Sequence, residues 1–130
     1  MSEVAKQLIL VVEDDLDQSK ALAGALNASG YSAVVTAGAR DAMFKLKNQK
    51  FYCVVLDLLL AGENGTEVVN FMRTRRDTPN LDTPILIMSA NLSSETMKAL
   101  AGKIQGAIVK PFEPSVLVER VVHLLASKKQ

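Results

Sequence analysis

The sequence predicts an α/β fold, a doubly wound (βα)5 chain in which five parallel strands alternate with five helices. Three observations carry that prediction. Short apolar runs recur along the chain, amphipathic segments separate them, and three of the runs end on an unusual polar group: Val11-Val12-Glu13-Asp14-Asp15, Val54-Val55-Leu56-Asp57 and Ala107-Ile108-Val109-Lys110-Pro111. An apolar run without alternation suits a strand buried on both faces, as in a parallel sheet. Parallel strands all finish at the same edge, so the acids and the lysine are expected to meet there.

Residues 8–12 are apolar and bounded by charge, which reads as the first strand. Asp15 and Gln18 have the spacing of a capping box, Leu16, Leu22, Ala23 and Leu26 form a helical stripe, and Gly30 supplies the stop. Residues 31–36 follow as a strand that Ser32 and Thr36 interrupt, the pattern of a sheet edge with one wetter face. Residues 40–48 make the second helix, with Ala42, Met43 and Leu46 inward. Residues 51–57 are the most hydrophobic strand and belong in the middle of the sheet. Ala61-Gly62-Glu63-Asn64-Gly65 is a turn composition that calls for positive φ. Val68, Val69 and Met72, with Phe71 beside them, form the next helical face. Arg73, Arg75 and Arg76 suit its C-terminus as a solvated cationic end. Residues 77–83 read as a loop and 84–88 as a strand ending at Ser89-Ala90. Ser93 or Ser94 caps a fourth helix reaching Lys103, whose apolar face of Met97, Leu100, Ala101 and Ile104 is thin. Residues 106–109 form the last strand, which Lys110-Pro111 stops. Pro114 opens a closing helix with Leu117, Val121, Leu124 and Leu125 inward and His123 beside the stripe, and residues 127–130 are a basic, fraying tail.

At 130 residues this is one domain, with a core of about residues 7–126, long enough to bury about two thirds of its unfolded surface. Fifteen basic and fourteen acidic residues leave a net charge of +1, which gives no field to draw the chain directly to nucleic acid or to a membrane. The single cysteine, Cys53, lies in an apolar run and reads as a buried structural thiol. No apolar stretch approaches the roughly 20 residues needed to span a bilayer, so a cytoplasmic location is expected.

Glu13, Asp14, Asp57, Ser89 and Lys110 all fall at carboxyl ends of expected strands, where ligands bind in open α/β sheets. A hard divalent cation such as Mg²⁺ or Mn²⁺ takes oxygen ligands and is held by one or two carboxylates, which Asp14 and Asp57 can supply while Glu13 orients a bound water. Asp57 is then the candidate nucleophile toward phosphorus, Lys110 the cation aimed at developing phosphoryl charge, and Ser89 a hydroxyl donor. Singly, an acidic pair is often a helix start and Lys-Pro a strand stop. Capping preferences do not explain their joint placement at one edge.

With these residues in view, the chain resembles the receiver domain of two-component response regulators over nearly its whole length. Residues 9–15 are similar to the family's acidic pocket, Val54-Val55-Leu56-Asp57 to its phosphoacceptor strand, Gly62 and Gly65 to the turn after it, Ile87-Met88-Ser89-Ala90 to its hydroxyl motif, and Val109-Lys110-Pro111-Phe112 to its lysine motif. The resemblance implies a flavodoxin-like sheet of order 2-1-3-4-5, commonly with a cis peptide before Pro111. It implies that Asp57 takes a phosphoryl group from a sensor histidine kinase or a histidine phosphotransfer protein. Glu13, Asp14, Asp57 and the Leu59 backbone carbonyl would hold Mg²⁺, Ser89 would move to the phosphoryl oxygen and Lys110 would pair with it. The domain would act as a signalling switch rather than an enzyme, reaching a downstream protein through the last two helices and strand. No output domain is expected after residue 125, so output is expected in trans or by relay.

Three positions depart from the family pattern. Ala107 replaces the usual aromatic residue before the lysine, so either the loop after Ser89 or another side chain carries the signal, or the coupling is weak. Leu59 is apolar where many members are polar, which is expected to shield an acyl phosphate from water, and Ala61 stands where proline is frequent. A receiver-fold module that no longer uses phosphorylation is the main rival reading. A Mg²⁺-dependent phosphohydrolase is a weaker one, because such enzymes often need a second acid where Leu59 stands.

Overall fold

Five runs rich in Val, Ile and Leu line up in one sheet. The structure, a computed structural model, describes residues 6–128. In chain order the strands are β1 (Leu8–Val12), β2 (Ser32–Thr36), β3 (Cys53–Asp57), β4 (Leu59–Leu60), β5 (Glu63–Asn64), β6 (Ile85–Ser89) and β7 (Gly106–Val109). The helices are α1 (Leu16–Ala28), α2 (Ala39–Asn48), α3 (Thr66–Thr74), α4 (Ser94–Leu100) and α5 (Pro114–Lys128). The main sheet is wholly parallel, in the order β2-β1-β3-β6-β7. Counting only its own strands, that is the expected 2-1-3-4-5, a doubly wound, flavodoxin-like α/β fold. The antiparallel pair β4 and β5 is an addition within the segment read as a turn. Two-residue strands carry no period from which to read them.

Alternation along the strands builds two cores. Leu10, Val12, Val54, Leu56, Ile85 and Ile87 face α2, α3 and α4, where they meet Leu46, Val69, Met72 and Leu100. Ile9, Val11, Val55 and Met88 face α1 and α5, where they meet Leu22, Leu26, Leu117 and Val121. Every residue of β3 and β6 is buried, as expected for the middle of a parallel sheet. Each fully buried aliphatic side chain contributes about 1.5–3 kcal/mol of transfer free energy, so these strands fix the sheet from its centre.

Several local expectations are corrected. Leu16 is 67% exposed, because the buried stripe of α1 begins one turn later, with Ser19, Leu22 and Leu26. The Ser19 hydroxyl stays satisfied by donating to the Leu16 carbonyl. α4 stops at Leu100, short of Lys103, because Gly102 turns the chain with φ +79°. α5 continues to Lys128, beyond the start of the expected tail, and residues 129–130 lie outside the described residues. Arg73 is not a solvated helix end. Its guanidinium donates to the carbonyls of Lys103, Leu81 and Thr83 and to Gln105 Oε1, which ties α3 to the segments on both sides of β6.

The loop after α3 is organised by a buried amide. Asn80 is fully buried, its Nδ2 donates to the Leu46 and Gln49 carbonyls, and its Oδ1 accepts from the Phe51 amide and the Thr83 hydroxyl. One side chain thereby joins the end of α2, the entry to β3 and the entry to β6. Each buried group left without a partner costs about 1–3 kcal/mol. Asn80→Ala is therefore expected to lower the unfolding free energy by at least about 2 kcal/mol, measured by chemical denaturation.

Candidate functional site

The site is built where the strands finish, and the ladder continues into it. Past the end of β1 the Glu13 amide still donates to the Thr36 carbonyl, past β3 the Leu58 amide donates to Met88, and past β7 the Lys110 amide donates to Ser89. The side chains of Glu13, Asp57, Ser89 and Lys110 therefore start from backbone as fixed as the sheet. Asp15 is spent elsewhere, accepting from the Gln18 amide as the N-cap of α1, which is the role its spacing predicts.

Lys110 Nζ lies 2.6 Å from Glu13 Oε1 and 2.7 Å from Asp57 Oδ2. The other oxygen of Asp57, Oδ1, accepts from the Leu59 amide at 2.9 Å. Glu13 and Asp57 are buried, at 1% and 5% exposure, whereas Asp14 is more open. Oxygens of all three carboxylates come within 4.8 Å of one another. They border a cleft of about 800 Å³ that Gln18, Leu59, Asn64, Ser89 and Asn91 also line.

Two glycines shape the floor, for different reasons. Gly62 has φ +70°, the conformation the turn composition anticipates. Gly65 has an ordinary φ of −61° and is needed for space, since a Cβ there would lie 2.5 Å from the Asp57 carbonyl oxygen. Lys110-Pro111 is cis, as the family resemblance implies.

Charge and burial act against each other here. Burial raises the Glu13 pKa above its ordinary value, opposed by the hydrogen bonds from Lys110 and the Asp15 amide and reinforced by Asp57. Burial pulls Lys110 down, but its bonds to Asp57 and Glu13 outweigh that and leave it raised. The ammonium is thus held charged between two acids.

The structure brings together Glu13, Asp14, Asp57 and Lys110. Ser89 lines the same cleft but its hydroxyl donates to the Asn91 carbonyl and accepts from the Asn91 amide, so it is engaged in its own loop. The Leu59 amide reaches Asp57, while its side chain is 78% exposed at the cleft. Sequence reasoning missed Glu63, which lines the cleft and accepts from the Ala39 amide at 3.1 Å across the chain; nothing local in the turn signals so distant a partner. Three carboxylates against one ammonium leave two negative charges, and an all-oxygen donor set of that charge fits a hard divalent cation. Glu13, Asp14 and Asp57 are the residues that would hold it.

Comparison with known proteins gives this geometry its context. The response regulator receiver domain, as a family model, matches residues 9–122. The chain belongs to that family. The DNA-binding response regulator MtrA of Mycobacterium tuberculosis is 31% identical over 122 residues, covering 92% of this chain and 50% of MtrA. The chain spans about half the length of the curated relatives it matches. Among solved structures, chemotaxis protein CheY4 of Vibrio cholerae superposes with a TM-score of 0.81 at 26% identity, covering 92% of this chain and 98% of that one. The receiver domain of sensor histidine kinase PA1611 from Pseudomonas aeruginosa, solved with magnesium in its active-site cleft, gives 0.82 at 22% identity over 94% and 99%. Among the described residues of this receiver domain, no helix is long and apolar enough to cross a membrane.

Lys110→Met tests the charge balance. Without the ammonium, Glu13 loses the partner that opposes desolvation, so its folded pKa rises further above the unfolded one. The folded state then binds the proton more tightly, and stability falls as pH rises through that window and returns as pH falls. The expected loss at neutral pH is about 2 kcal/mol, less than the roughly 3–5 kcal/mol of a fully buried pair. Denaturation at two pH values, each with and without Mg²⁺, should show recovery by acid or by the cation.

Proposed function

We propose that this receiver domain is a phosphorylation-dependent signalling switch that accepts a phosphoryl group on Asp57 in a Mg²⁺-dependent reaction. The observation that carries the reading is the setting of Asp57, a buried carboxylate with its two oxygens held by the Leu59 amide and Lys110 at the rim of an acidic cleft. A carboxylate so placed can attack phosphorus while fixed donors face the developing charge. The donor would be a phosphohistidine of a sensor histidine kinase or a histidine phosphotransfer protein. Its phosphorus–nitrogen bond breaks as a phosphorus–oxygen bond to Asp57 forms, and the imidazole leaves with a proton.

A cation held by Glu13, Asp14, Asp57 and the Leu59 backbone carbonyl would neutralise the acids against the incoming phosphate. That magnesium sits in the cleft of the PA1611 receiver domain supports the assignment. Lys110 would give up part of its pairing with Asp57 to a phosphoryl oxygen. Ser89 would exchange its bonds to Asn91 for the same group, which frees the loop leading to α4. Ala107 carries a single methyl on the neighbouring strand, so this loop, rather than an aromatic rotamer, transmits the change toward α4, β7 and α5. A downstream protein would read that face in the cytoplasm, with no direct contact to nucleic acid and no insertion in membrane.

Intact mass after incubation with Mg²⁺ and a small phosphodonor should increase by one phosphoryl group, and Asp57→Ala should abolish the increase. No increase in the parent protein would favour a phosphorylation-independent module, the reading that the engaged Ser89 hydroxyl and Ala107 keep open. Fast multiple turnover would favour a hydrolase. Leu59, exposed beside the acceptor, should slow loss of the phosphoryl group by keeping water away. Leu59→Asn is expected to shorten its lifetime several-fold, roughly 1 kcal/mol in barrier; an unchanged or longer lifetime would refute the shielding.

A further inference from the structure

α2 begins without a cap of its own. Gly38 occupies the N-cap position with extended backbone and no side chain to satisfy the first turn. The Ala39 amide, in a fully buried residue, donates instead to Glu63 Oε1 at 3.1 Å, 24 residues away in β5. The missing side chain at Gly38 makes room for this, since a Cβ there would stand 3.2 Å from the same oxygen.

Glu63 thereby closes a ring of bonds around the acidic cleft. From Glu63 the antiparallel pair leads to Leu60 and Leu59, and the Leu59 amide holds Asp57 Oδ1. Asp57 Oδ2 is joined through Lys110 Nζ to Glu13 Oε1. The Glu13 amide is bonded to the Thr36 carbonyl, and three residues further along the chain stands Ala39, bonded to Glu63. The segment 36–39 thus links the strand that carries Glu13 to the hairpin that follows Asp57. The carboxylate suits a helix N-terminus, where a negative charge is favoured.

We propose that Glu63 is a positioning residue that holds the β4–β5 hairpin, and with it Leu59 and the Asp57 carboxylate, at a fixed distance from Glu13. Glu63 touches none of the reacting groups, so it acts through the Leu59 backbone. The consequence for cation binding rests on the function proposed above; the mechanical linkage does not.

Three variants separate positioning from simple helix capping: Glu63→Ala, Glu63→Gln, and Glu63→Ala combined with Gly38→Ser. Serine at Gly38 can cap α2 directly once the Glu63 side chain is gone, and the backbone there is of a kind any residue adopts. Each protein is measured for thermal unfolding, for Mg²⁺ affinity by calorimetry, and for hydrogen exchange at the Leu59 and Ala39 amides without metal. Glu63→Ala is expected to weaken Mg²⁺ binding about tenfold, as for groups that orient a metal ligand, and to speed exchange at both amides. Glu63→Gln keeps the acceptor oxygen and should stay within about twofold of the parent. The double variant should regain the unfolding midpoint and Ala39 protection, yet retain weak Mg²⁺ binding and fast Leu59 exchange. Recovery of affinity and Leu59 protection in the double variant would overturn the proposal, leaving Glu63 as a helix cap alone. Unchanged values in Glu63→Ala, or Glu63→Gln as impaired as Glu63→Ala, would overturn it too. If the parent protein binds no Mg²⁺, the proposed function fails, and Leu59 exchange in the double variant still decides the linkage.

Discussion

The ammonium of Lys110, bonded at 2.6 and 2.7 Å to Glu13 and Asp57, is the interaction on which the arrangement of the site depends. The two acids end neighbouring strands and are almost wholly buried, a placement that like charges would resist. Glu13 shows the strain, its pKa raised by burial despite the hydrogen bonds that oppose it. One cation offsets part of the excess. What remains is negative charge in an oxygen-lined cleft, the condition for drawing in a hard cation. The stability of the site and its residual negative charge are therefore set by one imbalance.

That imbalance is affordable because the backbone beneath it does not yield. β3 and β6 are buried on both faces between two hydrophobic layers, and hydrogen bonds in strand register run one residue past the strands at Glu13, Leu58 and Lys110. Close packing leaves no slack through which the acids could separate. Gly65 shows how tight the floor is, because the hairpin passes near enough to the Asp57 carbonyl that no Cβ would fit. Arg73 and Asn80 extend the same stiffness to the opposite end of the sheet, where they join segments far apart in sequence.

The parts legible in the sequence are those whose cause is local or periodic. Parallel strands buried on both faces leave continuous apolar runs, so the sheet and its common edge are legible in the sequence. Glu13, Asp14, Asp57 and Lys110 were found because each interrupts such a run where it ends. Asp15 was legible as a cap because its partner is three residues away. Glu63, Arg73 and Asn80 were not, because most of their partners lie 8 to 34 residues distant and no spacing rule connects a turn glutamate with the start of a helix. Leu16 failed for another reason. Helical spacing identifies a stripe but not where along the helix packing begins. The end of α4 failed because Gly102, one residue past its cap, outweighed the propensity of the residues after it.

The contrast between β6 and α4 shows where this fold can give. All five residues of β6 are buried, whereas in the seven residues of α4 only Leu100 is. The two are joined by residues 90–93, whose first fixed point is the pair of bonds between Ser89 and the Asn91 backbone. A group that competes for the Ser89 hydroxyl therefore acts on a loop whose far side is a helix held by few apolar contacts. Ala107 on β7 offers only a methyl, in a strand whose backbone is fixed against β6. Local free energy of opening follows buried contact. The rigid centre and the lightly held helix thus differ in kind, one keeping the acids in place and the other held by a single buried side chain.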